Sequence, residues 1–369
     1  MTGDPSVQAA VFHRPNDIRT QLFRRPQINA DQVLVRVTCC TICGSDLHTT
    51  LGNRPAPTPS ILGHEIIGLV EEVGALAPAD GLQVGDRITW SVAASCGPTR
   101  VVQSESCEPG LEPWSQCPRC ASGFPQKCDS LFKYGHEQVS DDVARTLSGG
   151  LAEYCVLQSG SAIVQLPDHL PDEIACPANC ATATVMAAVR TTGTLRGKRV
   201  LITGAGMLGL TTAAVARVLD ASSVTVCDPS SDRRKLAEHF GATTTADTVP
   251  NRKFDCVFEM SGNRQAVAAA IECTDIGGKV VLVGSVSPTT PIDFDPEKIV
   301  RGLIGIHGVH NYQPGDLLAA VQFLDQHHDR FPFASLVSRT FSLTDVPAAF
   351  DFASRNRPIR VAVRSNATN

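Results

Sequence analysis

At 369 residues, 43% hydrophobic and 19% charged, the chain is long enough for two domains of ordinary size and too apolar to stay unfolded. Its formal net charge of −5 comes from interspersed acids and bases, which argues against nucleic acid or an anionic membrane surface as partner. No segment approaches the roughly 18 apolar residues of a membrane span, and "MTGDPSVQAAVFHRPND" lacks a basic stretch followed by an apolar one, so the reading is cytoplasmic. Thiols stay reduced there, and the 14 cysteines read as metal ligands and core residues rather than disulfides.

In chain order, the first half predicts strands: "QVLVRVTC", "IIGLVEEVG" and "DRITWSV" are β-branched runs between Gly and Pro turns. Five cysteines follow in "CGPTRVVQSESCEPGLEPWSQCPRCASGFPQKC", residues 96–128, of which 97–116 read as an inserted surface loop. From about residue 197, strand, Gly turn and helix alternate through "KRVLITGAGMLGLTTAAVARVLD", "SVTVCD", "SDRRKLAEHFGA", "FDCVFEMSG" and "GGKVVLVGSV", which predicts βαβ units and a parallel sheet. An amphipathic helix in "PGDLLAAVQFLDQHHD", a short helix in "VPAAFDFAS" and a strand in "IRVAV" close the chain. The fold class is α/β: a β-rich part, then a parallel-sheet part of alternating strands and helices from about residue 197.

In "VLITGAGMLGL" the glycines Gly204, Gly206 and Gly209 form GxGxxG between a strand and an alanine-rich helix, with Met207 and Leu208 at the helix start. Such a turn lets the backbone approach a pyrophosphate and points helix amides at it. The next strand ends in Asp228, 24 residues after Gly204, where a carboxylate can accept from a ribose 2′-hydroxyl. Asp228 favours NAD over NADP, and Arg233 and Arg234 close behind leave a 2′-phosphate open.

Cys43 in "CTICGSDLH" and His64 in "ILGHE" are donors suited to zinc, although a buried Cys and His can equally be core residues. Their neighbours favour chemistry. Asp46 can take the second ring proton of a metal-bound histidine, Ser45 and His48 can carry a proton, and Glu65 adjoins His64.

"CGSDLH", then "GHE", a cysteine lobe and GxGxxG together resemble the zinc-dependent medium-chain alcohol dehydrogenases, over essentially the whole chain. The resemblance implies a GroES-like β-rich catalytic domain over 1–180, a Rossmann NAD-binding domain with a doubly wound parallel sheet over 181–312, and a return to the catalytic domain over 313–369, with substrate and NAD in a cleft between the two domains. It implies a catalytic zinc on Cys43, His64 and Cys180, with Cys176 left as a packing residue. Glu65 is implied as a transient or outer partner, Ser45 and His48 as the proton relay, and Asp46 as the carboxylate behind His64. Thr184 would face the nicotinamide and Arg360 the cofactor pyrophosphate. A homodimer or homotetramer is implied, the dimer joined through the edge strands of two Rossmann sheets.

The family's structural zinc lobe has the spacing Cys-x2-Cys-x2-Cys-x7-Cys. Cys117, Cys120 and Cys128 match its last three positions, but Trp114 stands where the first would be. Cys96, at a strand end before Gly, resembles that first ligand, and a long intervening loop costs little. Cys107 inside the loop is the alternative.

The resemblance implies hydride transfer between an alcohol and NAD, giving an aldehyde or ketone. "CTICGSDLHTTLGNR", "PQKCDSLFKYGHE", "CATATVMAA" and "GVHNY" resemble more narrowly the phosphonate-catabolism-associated alcohol dehydrogenases. A hydroxyalkylphosphonate would need fixed cations or donors, and Arg54, Lys133, His136 and His310 are the candidates. A threonine- or sorbitol-type polyol dehydrogenase is the alternative, and a non-catalytic NAD-binding zinc protein the remote one.

Overall fold

The computed structural model describes residues 6–77, 81–103, 117–287 and 290–365. The chain divides into two compact units, the first Met1–Cys180 with Gln313–Gln326 and Phe333–Asn369, the second Ala181–Tyr312 with His327–Pro332. The short piece 327–332 departs from the sequence expectation. It sits with the second unit because Phe331, buried, stacks on Phe240 with ring centroids 6.3 Å apart.

The first unit is built on an eight-stranded sheet whose central strand is Val33–Thr41. On one side this strand pairs antiparallel with Glu65–Val73; on the other it pairs with Tyr154–Leu157 through residues 33–36 and with Arg360–Arg364 through residues 39–41. Both faces of the central strand are covered, so it reads as the nearly continuous apolar run "VLVRVTCC" rather than as an alternation. The helix Val346–Asn356 packs Val346, Ala349, Phe350 and Ala353, at helical spacing, into a core shared with Trp90, Tyr134 and Ile66. Each large side chain buried there contributes roughly 1.5–3 kcal/mol.

The second unit carries six parallel strands in the order Thr244–Ala246, Ser223–Cys227, Arg199–Thr203, Phe254–Glu259, Thr274–Leu282, Gly305–Gly308. Numbered along the chain, that order is 3-2-1-4-5-6, the doubly wound arrangement. Chain direction across the sheet reverses between Arg199–Thr203 and Phe254–Glu259, and the glycine turn 204–209 leaves the sheet at this point. No described helix is long and apolar enough to cross a membrane.

Candidate active site

Sheet register brings the first cluster together. Thr41 lies opposite both Glu65 and Ala362, so three neighbouring strands deliver Cys43, His64 with Glu65, and Arg360 to one end of the sheet. Cys180 arrives from the turn Cys176–Asn179. That turn is pinned by Asn179, whose Oδ1 accepts from Ile66 N at 3.3 Å and whose Nδ2 donates to Trp90 O at 2.9 Å. The ligand atoms of Cys43, His64 and Cys180 all lie within 4.8 Å of one another. Cys176 stands apart from them, fully buried, with its thiol donating to Cys39 O.

Asp46, 2% exposed, holds two of the three. Its Oδ1 is 3.1 Å from His64 Nδ1 and its Oδ2 accepts from Cys43 N at 3.0 Å. A carboxylate at Nδ1 fixes the ring proton there, which leaves Nε2 as the ligand atom. Burial works against a charged His64, but Asp46 outweighs it and the pKa is raised. The Cys43 thiol is held well below its usual range by a hydrogen bond from Cys180 and, against burial, by Arg360 and His64; the same bond, with burial, pushes Cys180 up. Two sulfurs and an imidazole packed this closely repel as thiolates unless a cation lies among them, and soft S and N donors select zinc. The residues fit a zinc ion.

Glu65 is fully buried and held from three sides. Arg360 donates to it through Nε and Nη2, both at 2.7 Å, and Thr41 Oγ1 donates at 2.6 Å. Burial raises the Glu65 pKa and Arg360 opposes that rise. Arg360 Nη2 also lies 3.7 Å from Cys43 Sγ, so one guanidinium steadies a carboxylate and a thiolate. Ser45 Oγ lies 3.3 Å from His64 Nε2, and His48 is exposed on the same helix, Gly44–Thr50.

The second cluster is Cys96, Cys117, Cys120 and Cys128, whose sulfurs also lie within 4.8 Å of one another. Cys107 and Trp114 lie outside the described residues, as does most of the 97–116 insertion. Backbone amides prepare the sulfurs as acceptors: Cys96 N donates to Cys128 Sγ at 3.2 Å and Cys120 N to Cys117 Sγ at 3.5 Å. Amides of Asp129 and Cys120 bring the Cys117 thiol down to about 6. Four sulfurs, with no histidine or carboxylate joining the group among the described residues, fit a closed structural zinc site.

The dinucleotide motif lies in the second unit. Gly206 caps the helix Met207–Val218 without a side-chain hydrogen bond, and a Cβ added to it would meet no atom within 4 Å. At Gly209, by contrast, a Cβ would fall 1.8 Å from Gly204 O. One glycine keeps the helix end open to an anion and the other lets helix and turn pack. Asp228 accepts from Ala205 N at 2.8 Å through Oδ2 and from Ser230 N at 2.9 Å through Oδ1. Arg234 Nη1 donates to the carbonyls of Asp228 and Pro229. Arg233 lies in the first turn of the helix Ser231–His239, its amide donating to Ser230 Oγ, and Thr184 lies on the helix Ala181–Thr192. These groups fit a nicotinamide dinucleotide.

Of the candidate anion partners, Arg54, Lys133 and His136 lie in the first unit and His310 in the second. Thr41, Asn179 and Glu259 are the supports that sequence reading missed. Glu259, fully buried at the end of its strand, accepts from the amides of Ser261 and Gly262 through Oε1. A lone acid in "VFEMSG" is the local signal that marks Glu259.

Two family models match the chain: the alcohol dehydrogenase GroES-like domain over residues 29–168 and zinc-binding dehydrogenase over residues 208–326. The chain belongs to the zinc-dependent medium-chain alcohol dehydrogenases. It is an NAD-dependent, zinc-containing dehydrogenase of that family. An L-threonine 3-dehydrogenase from Anaeromyxobacter sp. (strain K) is 27% identical over 359 residues, covering 92% of both chains. A 5-exo-hydroxycamphor dehydrogenase from Pseudomonas putida is 28% identical over 353 residues, 90% of this chain and 91% of that one. In fold, an alcohol dehydrogenase from Thermotoga maritima superposes with a TM-score of 0.87 at 24% identity, over 98% of this chain and 100% of the other.

Proposed function

We propose that this dehydrogenase oxidises an alcohol carrying a second polar group to the matching aldehyde or ketone, at the centre formed by Cys43, His64 and Cys180. The carbinol hydrogen leaves as hydride to the oxidised nicotinamide, giving NADH, and the hydroxyl hydrogen leaves as a proton. The observation that carries the reading is the convergence of those three donors with Asp46 bonded to two of them. Zinc held there supplies the Lewis acidity that makes the alcohol acidic, and NAD supplies the hydride acceptor. Asp46 keeps His64 in the ligating tautomer. Arg360 and Thr41 hold Glu65 as a carboxylate beside the ligands, and Arg360 is also the candidate partner of the cofactor pyrophosphate. Ser45 Oγ takes the alcohol proton and His48, exposed, passes it to solvent. Cys96, Cys117, Cys120 and Cys128 hold the structural zinc.

In the second unit Gly204, Gly206, Met207, Leu208 and Gly209 receive the pyrophosphate, and Thr184 contacts the nicotinamide. Asp228 selects NAD by accepting from the adenosine ribose, and Arg234 is turned onto backbone carbonyls rather than toward a 2′-phosphate. Two substrate readings carry comparable weight. Segment-level resemblance supports a hydroxyalkylphosphonate, and the threonine dehydrogenase relative supports a threonine- or polyol-type alcohol. Every described cysteine is a free thiol, in keeping with a cytoplasmic protein, and an apolar sheet edge in the second unit supports a homodimer or a homotetramer built from it. The test is NADH formation by zinc-loaded protein on 2-hydroxyethylphosphonate, L-threonine, sorbitol and ethanol, with NADP as the cofactor control. Turnover with at least one of these, faster with NAD, is expected; no NADH from any, with zinc and NAD both bound, overturns the reading.

A further inference from the structure

We propose that Arg54 and Lys133 form an anion subsite beside the Cys43, His64 and Cys180 centre, which selects alcohols bearing a phosphonate or carboxylate. The inference rests on the proposed alcohol oxidation for its location and adds the group that the substrate must carry.

Both cations are held by backbone near the ligands. The amides of Asn53 and Arg54 donate to His48 O at 2.8 and 3.2 Å, so Arg54 is clamped to the helix that bears Ser45 and His48. Lys133 pairs with Ala93 in a short antiparallel ladder, its amide donates to Glu137 Oε1 at 2.9 Å, and its carbonyl accepts from His136 N at 3.2 Å. The turn after it presses on the ligand loop. A Cβ at Gly135 would lie 2.5 Å from Gly63 O, and the His136 ring centroid is 5.3 Å from that of His64.

Arg87, Arg199, Arg360 and Arg364 each pair with carboxylates, whereas among the described residues neither Arg54 nor Lys133 forms an ion pair. Both are only partly exposed. Burial first, and then Arg54 and Lys127, lower the Lys133 pKa, with Glu137 opposing; Arg54 also acts on His136. His136 Nδ1 donates to Tyr134 O at 2.9 Å. Two half-buried cations held on the segments next to the Cys43 and His64 loops repel, and an anion bound by both would gain charge-assisted hydrogen bonds from each.

The test has two arms. In the first, kcat/KM is measured on 2-hydroxyethylphosphonate, 3-hydroxypropanoate and uncharged 1-propanol for the zinc-loaded enzyme and for Arg54→Gln, Lys133→Gln and the double variant. The ratio of anionic to uncharged kcat/KM is expected to fall about tenfold or more for each cation removed, and Arg54→Lys and Lys133→Arg to recover part of it. The better anionic substrate of the wild type tells phosphonate from carboxylate. In the second arm, calorimetry follows methylphosphonate binding, which is expected in the wild type and lost in the double variant. An unchanged ratio, or methylphosphonate bound equally by the double variant, overturns the subsite. If no alcohol is oxidised while methylphosphonate still binds through Arg54 and Lys133, the proposed reaction fails and the anion subsite stands.

Discussion

Asp46 gives each of its carboxylate oxygens to a different residue of the proposed zinc centre, Oδ1 to His64 Nδ1 and Oδ2 to the Cys43 amide. An asparagine there can still accept one hydrogen bond but brings no charge to hold the imidazole proton. Asp46→Asn is therefore expected to weaken zinc binding at the catalytic centre by about 10–100-fold and to lower kcat, with NAD affinity in the second unit unchanged. Competition with a chromogenic chelator measures this, and wild-type zinc affinity would remove the orienting role. At this scale the sequence was legible where function-bearing residues cluster locally: Cys43, Ser45, Asp46 and His48 share one short segment, and His64 adjoins Glu65. Asn179 was not legible, because its partners Ile66 and Trp90 lie 113 and 89 residues away and only the folded sheet brings them near. The resemblance implies a cofactor contact for Arg360, while its bidentate grip on Glu65, 295 residues distant, has no local sequence signal.

Among the elements, the cysteine lobe shows how far spacing can be read. Cys117, Cys120 and Cys128 match the family's intervals, and a short helix and a turn fix the geometry between them. The fourth position could not be fixed by interval, because loop length between two ligands costs little; the structure brings Cys96 to the other three. Cys96→Ser is expected to reduce bound zinc from about two ions per chain to about one and to lower the unfolding temperature, whereas Cys107→Ser keeps about two. Elemental analysis and a thermal melt decide between them, and the reverse pattern would exchange the two cysteines. The glycine turn was legible for a related reason: strand, GxGxxG and helix are contiguous, and at Gly209 a Cβ would fall 1.8 Å from Gly204 O, so only a residue without one lets helix and turn pack.

For the whole molecule, the parallel sheet of the second unit has two edges, and they differ. Around the edge strand Gly305–Gly308, Val300, Leu303 and Ile306 are exposed, at 72%, 73% and 37%, with Val286 and Phe294 exposed as well. A sheet edge carries unpaired amides and carbonyls, and an apolar edge left in water invites a second copy to pair with it. A two-fold axis there would set Gly305–Gly308 against its own counterpart, satisfying both backbones and covering both apolar patches at once. Alternation of strand and helix made the parallel sheet legible in the sequence, but which edge stays bare depends on strand order, and strand order is a long-range property. Leu303→Asp together with Ile306→Lys places two charges on this edge without touching the glycine turn or either cysteine cluster. The wild type is expected to run as a dimer or tetramer by light scattering, and the double variant to dissociate by at least one level while retaining NAD affinity. Unchanged mass in the double variant would move the interface to another surface, and a monomeric wild type would leave the edge without a partner copy.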